Sequence, residues 1–179
     1  MLELPATAAK LAEAKFFYRK LAEITQRVFS PEPEAFGYYL SAFVSAARSV
    51  TFALQAEHKQ KYDAWFSAWE AALSTEQRQL MEHFNSQRIA TVHKVGIAVA
   101  HEATELSQSE FFLAVAREGA GVHIWHGPPG TPAPTFSRTI RTFSVGCTQR
   151  EVSTAATEYL QIVVALVEAF KAHYANAAA

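Results

Sequence analysis

Apolar residues recur at three- and four-residue steps over most of the chain, which is the spacing of one face of an α-helix. Leu11, Ala14, Tyr18, Leu21, Ile24 and Val28 predict a first helix from about Ala6 to Phe29. Ser30-Pro31-Glu32-Pro33-Glu34 then supplies a cap, prolines tolerated in a first turn, and acidic residues suited to the positive helix end. Phe36, Tyr39, Leu40, Phe43, Val44, Ala47, Val50 and Leu54 predict a second helix to about Gln60. Its small residues Ser41, Ala42, Ser45, Ala46 and Ser49 allow close backbone approach, so it is expected at the centre of a bundle. Arg48, among them, reads as a structural ion-pair or boundary residue. Trp65, Phe66 and Trp69 mark a shorter helix from Lys61 to Leu73, with the aromatics read as core rather than as a base-stacking platform. Ser74 and Gln77 form a capping box, so a fourth helix should start at Thr75, run through Leu80, Met81, Phe84 and Arg88, and stop near Gly96.

From Ile97 the pattern changes to period two. Ile97–Val99, Phe111–Val115, Val122–Ile124 and Phe143–Val145 alternate between breaks at Gly119, Gly121, Gly127, Gly130 and four prolines. This predicts a small antiparallel sheet with a Gly/Pro-rich loop, although Gln108–Glu118 fits a short helix as well. Thr148 and Glu151 resemble a second capping box, opening a last helix through Tyr159, Leu160, Val163, Leu166, Val167, Phe170 and Tyr174. The expected fold is mainly α: an up-and-down bundle of about five helices, one domain over residues 1–179, with 97–147 as a β insert.

Composition narrows the chemistry. The 179 residues are half apolar, with a net charge of −1, so bulk charge does not point to nucleic acid and any such contact needs a local patch. The single cysteine, Cys147, excludes an intrachain disulfide and a Cys-rich zinc site. Asp63 is the only aspartate, which leaves little for a magnesium or calcium site. Met1-Leu2-Glu3-Leu4-Pro5 lacks the features of a signal peptide, and no uninterrupted apolar run approaches the ~18 residues of a membrane span. The expectation is a soluble cytoplasmic protein without membrane contact.

Several chemistries lack their residues. No Glu is followed by His three positions later, as a di-metal carboxylate bundle requires. His123 and His126 would point to opposite faces of a strand. His101-Glu102-Ala103-Thr104-Glu105 lacks the second His of a zinc-protease motif, and neither a phosphate loop nor a nucleophile elbow is present. Cys147 has only Arg150 or the helix start to activate it, and is expected to be inert. No metal or other cofactor is predicted.

Arg88 and His93 remain. Metal-free RNA cleavage needs a base for the 2′-hydroxyl, an acid for the leaving oxygen and a cation for the developing charge. Histidine serves the first two, and arginine binds phosphate through two parallel hydrogen bonds. Five residues apart, the two side chains differ by roughly 140° around an ideal helix. They can share one phosphate only if the helix loosens near Gly96 or if two copies of the chain meet. Arg138, Arg141 and Arg150 lie in a stretch without acidic residues from Gly119 onward. With Arg88 and Lys94 they would form a local basic face; an ordinary polar hairpin is the other reading.

Arg88-Ile89-Ala90-Thr91-Val92-His93 resembles the Arg-x4-6-His motif of the HEPN superfamily (higher eukaryotes and prokaryotes nucleotide-binding domains). Tyr39 to Val50 also looks like a helix of uncharacterised bacterial relatives. The resemblance covers Ala6 to Gly96 and Thr148 to Tyr174, not the insert. It implies a helical homodimer and, in active members, a metal-independent endoribonuclease of toxin–antitoxin or defence type, with an antitoxin or nucleotidyltransferase-like protein as partner. Carried over, Arg88 and His93 are the catalytic residues, while Asn85, Lys94, Arg138 and Arg141 are candidates for binding the RNA. The family often places Asn directly after the Arg, where this chain has Ile89. The alternative is a non-catalytic module of the same fold that binds a nucleotide or a protein.

Overall fold

The computed structural model describes residues 2–26, 34–93, 97, 99–107, 111 and 136–176, and of residues 90–93, 138 and 176 the backbone alone. These residues form five helices and a three-stranded antiparallel sheet: α1 (Pro5–Gln26), α2 (Ala35–Glu57), α3 (Lys59–Ala71), α4 (Thr75–His93), β1 (Ala100–Leu106), β2 (Phe136–Val145), β3 (Thr148–Glu151) and α5 (Val152–Asn176). The mainly helical fold with a β insert is as the periodicity predicts. The expected helix positions at Val28 and Phe29, the Ser30 cap, the stop at Gly96, the strand Val122–Ile124 and the pair His123 and His126 lie outside the described residues.

The helices pack by the stripes that predict them. In α2, Phe36, Leu40, Phe43, Val44, Ala47, Val50 and Leu54 are all buried. In α5 the buried set is Val152, Ala155, Ala156, Tyr159, Leu160, Ile162, Val163, Leu166, Val167 and Phe170. By length and composition α5 could cross a membrane, although Glu158, Gln161, Glu168 and Lys171 interrupt its apolar run. Its hydropathy is accounted for by this buried face, while Gln161, Ala165 and Glu168 are exposed. Phe84 of α4 lies flat on Tyr159 (centroids 4.3 Å apart, planes at 4°) and meets Phe43 edge-on at 6.1 Å. Three helices thus meet at one aromatic contact. Offset and edge-on arrangements of this kind stabilise beyond the area they bury.

Polar contacts fix the helix directions. Pro5 starts α1, where its missing N–H costs nothing. The Glu57 carboxylate, at the far end of α2, accepts from the Ala6 amide (2.6 Å), the Thr7 amide (3.0 Å) and the Thr7 hydroxyl (2.5 Å). The end of α2 therefore caps the start of α1, and the two helices run antiparallel. Tyr18 and Thr157 share a hydrogen bond of 2.8 Å, and the Tyr174 hydroxyl donates to the Lys61 carbonyl at 2.8 Å. These tie α5 to α1 at one end and to α3 at the other. Ser74 and Gln77 cap α4 reciprocally, at 3.0 and 3.1 Å, as the capping box predicts.

The second capping box is not one. Thr148–Glu151 is β3, paired with Thr142–Val145 of β2, and α5 starts only at Val152. Gly146, at φ 58°, turns the chain between the two strands together with Cys147. A two-residue turn with Gly first matches the twist of the strands and makes a hairpin. β1 was not expected as a strand. It pairs with β2 from Ala100↔Thr142 to Leu106↔Phe136 and is the outer one of the three described strands on that side. Phe143 and Val145 are buried against the bundle, and His83 of α4 stacks on Phe143 at 4.4 Å. Phe111 is helical, its amide donating to the Ser107 carbonyl at 3.0 Å, so at this residue the short-helix reading holds.

Candidate functional site

α4 is regular helix from Thr75 through Arg88 to His93. The helix does not loosen between Arg88 and His93; the neighbourhood of Gly96, where a loosening was expected, lies outside the described residues. The roughly 140° between the two positions stands. Asn85, half-buried, sits one turn before Arg88, and Ile89 is 60% exposed. Lys94 lies outside the described residues. The His93 side chain is not described.

The Arg88 guanidinium lies over the Phe52 ring of α2, its Cζ 5.2 Å from the centroid. Arg48 lies over the same ring at 4.5 Å. Phe52 follows Arg48 by four residues, so the pair shares one helix face. Cations are attracted to the electron-rich face of an aromatic ring at these distances. Arg48 also donates from Nη1 to the Thr51 hydroxyl at 2.5 Å. Among the described residues neither arginine has a carboxylate within ion-pair distance, while Lys10, Lys20, Lys59, Arg150 and Lys171 each do. Of the two readings for Arg48, ion pair or boundary residue, its half-buried position fits the second; among the described residues its partners are Thr51 and a ring on its own helix.

Arg141, on β2, sits over Phe36 at 4.3 Å and is half-buried, and that burial lowers its pKa. Phe36 and Phe52 are sixteen residues apart, roughly 24 Å along α2. The structure therefore does not bring Arg141 to Arg88. Arg138 is on β2 opposite Thr104, with its side chain undescribed. Arg150 is paired with Glu158 at 2.7 Å and so is neutralised. Of the residues expected to form one basic face, Arg88 lies at Phe52 and Arg141 separately at Phe36, while Lys94 and the Arg138 side chain lie outside the described residues.

Sequence reading missed Phe52 and placed Arg48 in a structural role. The signal was the Arg-x3-Phe spacing on one helix, which allows the cation to lie on the ring. A cavity of about 300 Å³ between α4 and α5 is lined by Glu76, Gln77, Leu80, Glu158, Gln161 and Ile162. It lies near the start of α4, away from Arg88, and its carboxylates disfavour a phosphate. No group of three His, Cys, Asp or Glu side chains placed to hold a metal occurs among the described residues.

With this geometry in view, comparison with known proteins adds no relative: no family model, no curated protein and no solved structure matches the chain.

Proposed function

We propose that the protein is a HEPN-like RNA-binding homodimer that cleaves RNA without a metal. The observation that carries this reading is Arg88: a half-buried guanidinium held on Phe52, without a carboxylate among the described residues, on the helix that also carries His93. A cation placed this way has its hydrogen-bonding edge available for phosphate. The regular course of α4 supports a dimer, because Arg88 and His93 of one chain diverge around the helix and a second copy of α4 supplies the missing group.

In the proposed reaction His93 takes the proton of a ribose 2′-hydroxyl, whose oxygen attacks the adjacent phosphorus. The bond from phosphorus to the 5′-oxygen breaks, and His93 of the second chain returns a proton to that oxygen. Arg88 holds the non-bridging oxygens as charge develops on them. The products are a 2′,3′-cyclic phosphate and a 5′-hydroxyl. The test is cleavage of single-stranded RNA in EDTA by wild type, Arg88→Ala and His93→Ala, with the oligomeric state measured by light scattering at micromolar concentration. Equal cleavage by all three would remove the catalytic assignment.

One observation favours the second reading, a binding module of the same fold without catalysis. Ile89, at the position where the family often has Asn, is the most exposed large apolar side chain among the described ones of α4. An exposed isoleucine beside the candidate cation suits a protein contact. RNA binding without cleavage, or binding of a protein partner lost in Ile89→Asn, would select it.

A further inference from the structure

We infer that Arg48 is a second phosphate-binding residue, and that Arg48 and Arg88, both held on Phe52, cradle adjacent phosphates of one single-stranded RNA. This rests on the RNA-binding reading above and extends it to a residue outside the Arg-x4-His motif.

The two guanidiniums reach one ring from different helices, at 4.5 Å from α2 and 5.2 Å from α4. One cation is enough to cover an aromatic face; a second of like charge is repelled by the first. Among the described residues no carboxylate neutralises either. The Arg48 charge is felt by the buried Tyr159 and Tyr62 hydroxyls, where it opposes the rise in pKa that burial causes. Among the described residues the pair is thus uncompensated, and it is partly screened from water; an anion relieves the repulsion.

The arrangement is also held in place. Thr51 fixes one edge of the Arg48 guanidinium, and the Thr51 hydroxyl in turn donates to the Arg48 carbonyl at 2.9 Å. Thr51 is buried and cannot swing away. Phe52, 43% exposed, keeps the site open to solvent. Guanidiniums fixed in advance lose less freedom on binding phosphate than long, free side chains do. Two such groups on one ring suit the repeating charge of a nucleic-acid strand. A strand rather than a duplex follows because the second reactant in the proposed cleavage is a 2′-hydroxyl that must reach in-line geometry.

The experiment is fluorescence anisotropy of a labelled single-stranded RNA over a range of salt concentrations, with the mononucleotide as a separate competitor. Each phosphate contact contributes about 0.7 to the slope of log affinity against log salt for a single strand. Arg48→Ala and Arg88→Ala should each lower the wild-type slope by about 0.7, and the double variant by about 1.4. Arg48→Lys keeps the charge and should restore the slope, while binding more weakly than wild type because the ammonium does not stack. This separates a phosphate contact from a folding defect. A wild-type slope in Arg48→Ala, with the slope of Arg88→Ala reduced, overturns the role of Arg48 and leaves the RNA-binding reading intact. Absence of salt-dependent binding by wild type overturns both. A mononucleotide that binds as tightly as the strand overturns the claim of adjacent phosphates.

Discussion

Removing the Glu57 carboxylate tests the interaction that sets the direction of α1 against α2. That carboxylate satisfies two of the amides left open at the start of α1, together with the Thr7 hydroxyl. Ala6 is exposed, so water replaces its lost bond. Thr7 is fully buried, so its amide and hydroxyl lose their partner with little access to solvent. Loss of a helix cap costs about 1 kcal/mol, and a buried group left without a partner costs about 1–3 kcal/mol. Glu57→Ala should therefore destabilise by about 2 kcal/mol, or about 4–8 °C in Tm for a chain of this size. Burial alone would raise the Glu57 pKa, but the bonds from Thr7 and Ala6 outweigh it and hold the carboxyl below its ordinary value of 4.5. A carboxyl with a lowered folded pKa stabilises above its unfolded pKa and loses that contribution as pH falls through the folded value. Urea unfolding of wild type and Glu57→Ala should show a full gap at pH 7 that narrows below pH 4.5. A gap that does not change with pH, or no gap at pH 7, would refute the capping account.

Two further variants probe the core and the sheet. Phe84→Ala removes the ring between Phe43, Phe143 and Tyr159 and should cost about 3–5 kcal/mol in urea unfolding, whereas an exposed position on the same helix, such as Glu82, should cost little. His83 packs on Phe143 with Nε2 buried and unpartnered, and burial holds its pKa below 6.5. The unfolded chain therefore takes up the proton first, and stability falls as pH drops through that value. His83→Phe should match wild type at pH 7.5 and exceed it at pH 5.5, by thermal melting; the opposite order would contradict a neutral, packed imidazole.

The helices were legible because their burial has a helical period and little else competes with it. Phe36 to Leu54 of α2 and Tyr159 to Phe170 of α5 face the core in the expected order. β1 was hidden because Ala100 to Leu106 does not alternate apolar and polar residues: its sequence is largely polar, and the strand is exposed from Ala100 to Glu105. Thr148 and Glu151 have the residues of a capping box, but the Gly146 turn commits them to a hairpin before a helix can start. Local pattern lost there to the pairing of Phe143 and Val145 with the bundle.

The site was legible in part. Arg88 stood out as a polar residue on an apolar stripe, and the structure gives it a ring to lie on. That the ring is Phe52, and that Arg48 shares it, depends on how α2 and α4 cross, which no local pattern encodes. Arg141 was grouped with Arg88 on charge alone, and the length of α2 separates them.

The central claim is tested most directly by incubating single-stranded RNA with the protein in EDTA and analysing the ends produced. The account predicts cleavage by wild type, with 2′,3′-cyclic phosphate and 5′-hydroxyl ends, and a loss of at least two orders of magnitude, about 3 kcal/mol of transition-state stabilisation, in Arg88→Ala and in His93→Ala. Intact RNA with wild type, or undiminished cleavage by either variant, would contradict it.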